Sequence, residues 1–268
     1  MASTELRKLS PAKLNLFLHI TGRRPDGYHE LQTLFRIIDR CDEMTFRHQN
    51  SGVLSLHCSG PTAAGLPMDN NLVLQAARKL RSFANEKNLG ADINLHKILP
   101  QGAGLGGGSS NAASTLLALN ELWQLHLSQQ QLCEIGVSLG ADVPIFVAGN
   151  SAWGEGIGEK LSPVELPPCW YLVATPPCAV ATEAIFSHQQ LTRNSPTIKM
   201  ADFLAGRSGN DCELVTKLLY PEVGKALNYL SKFAKARMTG TGSSIFAEFH
   251  TEAEARAIQG KLPKSLQC

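Results

Sequence analysis

Residues 100–111 read Pro-Gln-Gly-Ala-Gly-Leu-Gly-Gly-Gly-Ser-Ser-Asn, and five of the seven residues from Gly102 to Gly108 have no side chain. Backbone of this kind can take positive φ and bring its N–H groups close to an anion. Just upstream, Ile93-Asn-Leu-His-Lys97 alternates as a strand does. Downstream, Ala112, Leu116, Leu119 and Leu122 recur at helical spacing. A strand, a run of bare amides and a helix N-terminus together form an anion site, because unpaired N–H groups and the helix dipole both favour negative charge. The cargo this predicts is a nucleotide phosphate.

Three kinds of glycine loop can be compared with this one. Gly102, Gly104 and Gly107 satisfy G-x-G-x-x-G, but the dinucleotide fingerprint also needs an acidic residue about twenty positions on, at the end of a second strand. Glu121 lies near that distance, inside the helix instead. A Walker loop needs Gly-Lys-Ser/Thr after the glycines, whereas Lys97 precedes them. A flexible linker is not set between a strand and an Ala/Leu-rich helix.

The bulk of the chain is ordinary. Its 268 residues are enough for one large or two medium domains. A net charge of +2 is too small to argue for nucleic acid or a membrane surface as partner. Seven cysteines without a C-x-x-C pair suggest neither a zinc site nor a disulfide framework, and fit a reducing cytosol. Lys13, Asn15 and His19 interrupt the first apolar stretch, so it is not read as a signal peptide, and no apolar run reaches membrane-spanning length.

Period and punctuation then give a mixed α+β chain in two lobes, 1–152 and 153–268. Strands are expected at Lys13–Ile20, Leu31–Ile38, Glu43–Phe46, Val53–His57 and Ile93–Lys97, with an Arg24-Pro-Asp-Gly27 turn. Helices are expected at Leu72–Glu86, capped by Asn70 or Asn71, from Ala112, and at Ser128–Ser138. Glycine becomes dense around 149–158, and strand Trp170–Ala174 follows. Helices near 182–191, 211–219 and 221–233, strand Ser244–Phe249 and a helix from Glu252 complete the second half.

Pro11-Ala-Lys-Leu-Asn-Leu, the stretch Pro100 to Ser110, and Thr239-Gly-Thr-Gly-Ser-Ser244 form a trio that resembles the GHMP superfamily of small-molecule kinases. Arg24-Pro-Asp-Gly-Tyr-His-Glu-Leu-Gln-Thr33 and Leu139-Gly-Ala-Asp-Val-Pro144 are similar to the branch whose acceptor is 4-diphosphocytidyl-2-C-methyl-D-erythritol, on the methylerythritol phosphate route to isoprenoids. The resemblance spans about residues 10 to 250. It implies a ribosomal-protein-S5-domain-2-like N-terminal lobe, a ferredoxin-like C-terminal lobe, ATP and Mg2+ as cofactors, and a cytoplasmic monomer, with a dimer left open.

The same resemblance assigns roles. Lys13 and Asp142 would meet at the acceptor hydroxyl, and phosphoryl transfer needs such a pair to orient the nucleophile and stabilise the migrating charge. Without the family, Lys13 is a solvated lysine and Asp142 a helix cap ahead of Val-Pro. Gly102, Ala103, Gly104, Leu105, Gly106, Gly107, Gly108, Ser109 and Ser110, preceded by Pro100 and Gln101, would wrap the ATP phosphates. Asn71, Leu72, Lys97 and Asn111 would lie near adenine and ribose, Asn71 being equally readable as a helix cap. Asn15 shares the strand face of Lys13. Tyr28 and His29 would recognise cytosine, with Phe186 sandwiching the base against Tyr28 and Thr182 in contact with substrate. Their bland readings are a partly buried aromatic, a surface histidine, a core ring and an N-cap. Gly240, Thr241 and Gly242 would close over the diphosphate, and no side-chain metal site is expected. Asn210-Asp-Cys-Glu213 reads as a helix start. The family also leads one to expect a further strand after the helix at 252–262, whereas this sequence stops at Cys268. Two other readings stay open: a GHMP kinase with another acceptor, and a non-catalytic nucleotide sensor. An oxidoreductase is disfavoured by the missing ribose acid.

Overall fold

The computed structural model describes residues 5–68, 70–84, 86, 88–263 and 265–266. Its elements in order are β1 (Glu5–Arg23), β2 (His29–Gln49), β3 (Leu54–Ser59), α1 (Leu72–Arg81), β4 (Gly90–His96), α2 (Gly107–Leu122), α3 (Gln129–Val137), α4 (Val143–Ala148), β5 (Ala152–Glu155), β6 (Lys160–Pro163), β7 (Trp170–Ala174), α5 (Thr182–Ser187), α6 (Met200–Leu204), α7 (Glu213–Leu219), α8 (Pro221–Leu230), β8 (Arg237–Met238), β9 (Ile245–Phe249) and α9 (Glu252–Gln259). The α+β class read from the sequence holds. Contacts divide the chain into two compact units. The first comprises Met1–Lys13, Ile37–Gln101 and Gly106–Asn150; the second comprises Leu14–Arg36, Gly102–Leu105 and Ser151–Cys268. No helix among the described residues is long and apolar enough to cross a membrane.

In the first unit, β4 runs antiparallel to the second half of β2, from Glu43↔His96 to Gln49↔Gly90, and parallel to β3. Met44, Phe46, Ile93 and Leu95 alternate inward from these strands. Leu80 of α1 and Leu116 and Leu119 of α2 are fully buried within the same unit. Helix α2 is buried on nearly every side, which its run of Gly, Ser and Ala allows: small side chains let neighbouring helices approach. In the second unit, Thr33–Phe35 of β2 pairs with β5, β5 turns back on β6, and a separate antiparallel sheet has the order β7-β9-β8. Leu172, Ala174, Ile245 and Ala247 of that sheet pack with Ile185, Val215, Val223, Leu227 and Leu230 of the helices.

Several boundaries move. The two strands expected at 31–38 and 43–46 are one continuous β2: the polar run Asp39-Arg-Cys-Asp42 looks like a break, yet Asp42 points fully inward. Helix α1 stops at Arg81, five residues early, and Phe83, expected on its buried stripe, is 54% exposed. Helix α2 starts at Gly107 rather than Ala112, so the last glycines form its first turn. Helix α5 ends at Ser187, not 191, because the chain turns extended at His188. Helices α7 and α8 are trimmed to 213–219 and 221–230. The short strands β5, β6 and β8 and helix α6 gave no periodic signal of their own. Burial from Ser10 to Ile20 is nearly continuous, so β1 hides its polar face as well as its leucines.

Helix α3 is closed by a capping box: the Ser128 hydroxyl accepts from Gln131 N at 3.3 Å, and Gln131 Oε1 accepts from Ser128 N at 2.9 Å. Ser128→Ala should cost about 1 kcal/mol, read as a lower urea midpoint with an unchanged m-value.

Candidate active site

The glycine run is held at both ends by one buried carboxylate. Asp42, fully buried on β2, accepts from Lys97 Nζ at 2.5 Å and from Asn111 Nδ2 at 2.9 Å on one oxygen; on the other it accepts from Ile98 N and Leu99 N, both at 2.7 Å. Residues 97–99 precede the glycines and Asn111 follows them. Burial pulls the Lys97 pKa down, against the opposing charge and hydrogen bond of Asp42. A pair this deeply desolvated contributes geometry more than net stability. Lys97 and Asn111, read from the sequence as nucleotide contacts, therefore both turn their side-chain nitrogens onto Asp42.

Two glycines show why the loop tolerates no side chain. Gly106, the N-cap of α2, has φ near +72°, and a Cβ there would lie 2.8 Å from the Phe146 ring and 3.1 Å from Lys13 Cε. Gly104 has the same φ, and its Cβ would lie 2.3 Å from the Thr239 carbonyl oxygen. From Gly106, helix geometry leaves the first-turn amides without intrahelical acceptors, the first of the described bonds being Ser110 N to Gly106 O at 2.8 Å. No acidic side chain occupies that turn. Ser110 Oγ is buried there with no hydrogen-bond partner among the described residues. Leu72, at the start of α1, reaches to 3.5 Å from where a Gly108 Cβ would sit. Asn71 does cap α1, its Oδ1 accepting from Val73 N at 3.0 Å. Gln101 turns away and donates to the carbonyls of Thr62 and Ala64.

Beside this helix start, Lys13 Nζ lies 3.2 Å from Asp142 Oδ2, with the lysine side chain 4% exposed and the aspartate 33%. Asp142 stands at the N-cap position of α4, followed by Val143 and Pro144, yet its side chain makes no capping hydrogen bond. The carboxylate is directed to the ammonium instead. An amine and a carboxylate thus converge at a cluster of helix-start amides, all within the first unit.

The second unit carries its own polar cluster. Asn15 N donates to Thr239 Oγ1 at 2.8 Å, and Asn15 Nδ2 donates to Thr33 Oγ1 at 2.9 Å. The loop 239–244 is shaped by Asn210, which donates to the Met238 and Gly240 carbonyls at 3.0 and 2.8 Å, and by Thr216, which donates to the Thr241 carbonyl. Ser244 N donates to the Ala103 carbonyl, tying Gly102–Leu105 to that loop. Gly240 and Gly242 both have positive φ. Thr182 is the first residue of α5, not its cap, and its hydroxyl is 3.1 Å from that of Thr241. Tyr28 stands 58% exposed after the Arg24–Gly27 turn, while the ring of Phe186 lies 5.1 Å from that of His29 at 33°. Burial, with the charges of Arg193 and Arg23, holds the His29 pKa below its ordinary 6.5.

Asp42, Arg193 and the carbonyl-binding role of Asn210 escaped sequence reasoning. Asp42 stands 55 residues from Lys97 in the chain, and nothing local marks it as buried.

Fold and site together define a phosphotransferase of the GHMP class. The family model for the GHMP kinases N terminal domain matches residues 71–150, and that for the GHMP kinases C terminal domain matches 194–268. The 4-diphosphocytidyl-2-C-methyl-D-erythritol kinase of Vibrio cholerae serotype O1 is 53% identical over 94% of this chain and 86% of its own length. That of Pseudomonas aeruginosa is 51% identical over 99% and 93%. A crystal structure of 4-(cytidine 5'-diphospho)-2C-methyl-D-erythritol kinase superposes with a TM-score of 0.80 at 32% identity, covering 96% of this chain and 94% of that one. The chain belongs to the 4-diphosphocytidyl-2-C-methyl-D-erythritol kinase family of GHMP kinases.

Removing the carboxylate that anchors the glycine run should unseat it. Asp42→Ala would leave a buried ammonium and two backbone N–H groups without their acceptor, at a cost of about 3–5 kcal/mol in urea denaturation. Asp42→Asn, which keeps an acceptor oxygen, should lose less.

Proposed function

We propose that this chain transfers the γ-phosphoryl group of ATP to the 2-hydroxyl of 4-diphosphocytidyl-2-C-methyl-D-erythritol, giving the 2-phosphate and ADP. The observation that carries the reading is the Lys13–Asp142 pair, 3.2 Å apart and set beside the helix start at Gly106. The names of the relatives agree with it. A new O–P bond forms at the acceptor alcohol as the bond from the γ-phosphorus to its bridging oxygen breaks, and the electron pair leaves with ADP. Asp142 receives a hydrogen bond from the acceptor hydroxyl, orients its oxygen and takes its proton. The Lys13 ammonium neutralises charge on the moving phosphoryl group, and the amides of residues 106–109 grip the triphosphate tail. Such transfer runs through a loose transition state, so positioning and charge matter more than a strong base.

Mg2+, bound with the nucleotide, would supply further charge neutralisation. The orphaned Ser110 Oγ at the helix start fits an oxygen-seeking cation or a phosphate oxygen. Tyr28, His29 and Phe186 read the cytosine, and Gly240–Gly242 cradle the diphosphate. A cytosolic monomer is the setting proposed; burial pushes the thiols of Cys41, Cys58, Cys133 and Cys178 up, as suits inert reduced cysteines.

Asp142→Asn should lower kcat by at least about a hundredfold, as should Lys13→Ala, with the KM for ATP within a few-fold. Turnover near that of the wild type in folded variants would remove both residues from the mechanism. The pH dependence follows from His29. Its pKa lies below 6.5, so the neutral ring persists as pH falls through neutrality. The KM for the cytidine substrate should stay flat from pH 8 to 6.5 and rise only below that, as measured from initial rates. A rise already at pH 7.5 would contradict the assignment of a neutral His29 to base recognition.

A further inference from the structure

Arg193 lies on the irregular segment after α5 and spends every nitrogen of its guanidinium. Its Nε–H donates to His29 Nε2 at 3.0 Å, Nη1 donates to the Leu191 carbonyl at 3.1 Å, and Nη2 donates to the carbonyls of Phe186 and His188 at 2.9 and 2.7 Å. An arginine is a donor only, and so is fixed in what it demands of its partner. The nitrogen it meets on His29 must present a lone pair. A neutral imidazole has one lone pair and one N–H, so the ring proton is confined to Nδ1. His29 is 8% exposed, and Nε2 is the ring nitrogen that Arg193 meets. The Phe186 ring lies beside the imidazole at 5.1 Å, and its carbonyl is among those that Arg193 holds.

We propose that Arg193 is a positioning residue for base selection: by occupying Nε2 it fixes His29 as the Nδ1–H tautomer, so that the ring offers a donor and favours cytosine over uracil. The chemistry is that of the pyrimidine edges. Cytosine places two acceptors, N3 and O2, side by side, whereas uracil carries a hydrogen on N3. A fixed N–H donor pairs with the unprotonated N3 of cytosine and meets a second donor in uracil. A histidine free to change tautomer could accept from uracil N3–H and would lose this discrimination. Burial and the neighbouring charges of Arg193 and Arg23, which hold the ring neutral, suit the same role. The inference rests on the base-reading assignment above and deepens it, since it names what makes the site choose one pyrimidine.

The tautomer can be read without any variant, from the nitrogen shifts and long-range couplings of 15N-histidine-labelled protein. The expected pattern is a protonated Nδ1 and an unprotonated Nε2; a wild-type ring protonated on Nε2 would overturn the proposal. Calorimetry with cytidine diphosphate and uridine diphosphate gives the second readout. Wild-type protein should prefer the cytidine nucleotide at least tenfold. Arg193→Gln should lose most of that preference while the Kd for an ATP analogue stays within twofold. Arg193→Lys, which keeps a donor, should retain part of the preference. If Arg193 only braces the segment 186–191, both pyrimidine nucleotides weaken equally and the ratio stays put, which sinks the proposal. A wild-type protein with no preference between the two sinks the base-site reading with it; a wild-type preference that survives Arg193→Gln sinks the Arg193 role alone.

Discussion

A carboxylate with no exposure to water, Asp42, sets the position of the segments on either side of the glycine run. Its two oxygens take four hydrogen bonds, from Lys97, Ile98, Leu99 and Asn111, which bracket the glycine run on both sides. Glycine-rich backbone has the largest conformational entropy to lose on folding. A loop able to wrap an anion would otherwise adopt many shapes, few of them with amides converging. Holding its two ends to one buried point removes most of that freedom before a ligand arrives, which is how binding energy is kept for the reaction. The ammonium of Lys97 neutralises the carboxylate close to the first turn of α2: a Cβ on Gly107 would lie 2.8 Å from its Nζ. Left uncompensated there, a buried negative charge would cancel part of the field that the helix start offers to phosphate.

The second constraint is the buried polar face of β1. Lys13, Asn15 and His19 alternate with leucines, a pattern that describes a strand with one wet side, yet all three are hidden. Burying Lys13 is costly unless it is paired. Asp142 supplies the pair, and does so from the one position of α4 where a carboxylate would ordinarily cap the helix. A side chain that forgoes its capping bond for an ammonium 3.2 Å away is placed for something other than helix stability. Burial of the ammonium, 4% exposed, strengthens what it can do to a charge beside it, while the carboxylate, 33% exposed, keeps contact with water.

How much of this was legible follows from the range of each interaction. The glycine run, the helix after it, the Ser128 cap and strand Trp170–Ala174 are written in neighbouring residues, and local pattern found them. The α2 start was misplaced by five residues because glycine and serine have poor helix propensity, while tertiary packing of small side chains overrides it. The continuity of β2 was hidden because the polar stretch through Asp42 is indistinguishable from a turn until its partners, 55 to 69 residues away, are known. The same distance concealed Arg193, whose contact with His29 spans 164 residues. Asn210–Glu213 reads as a helix start, and α7 does begin at Glu213 with Cys212 at its N-cap; Asn210 stands ahead of it, its Oδ1 accepting from Cys212 N while its amide holds two carbonyls of the loop at 238–240.

These long-range contacts share a form. In each, a group with a fixed hydrogen-bond demand meets a part of the chain that would otherwise be undecided: Asp42 meets the glycine run, Asn210 meets the 239–244 loop, and Arg193 meets the imidazole of His29. Local sequence supplies the flexible or ambivalent element, and a distant side chain removes the ambiguity. For His29 the ambiguity is chemical rather than conformational, since a free imidazole can present either nitrogen as the donor. Fixing a proton on one atom requires no movement and little buried area, which is why a single guanidinium is sufficient to decide which nitrogen of the ring can donate.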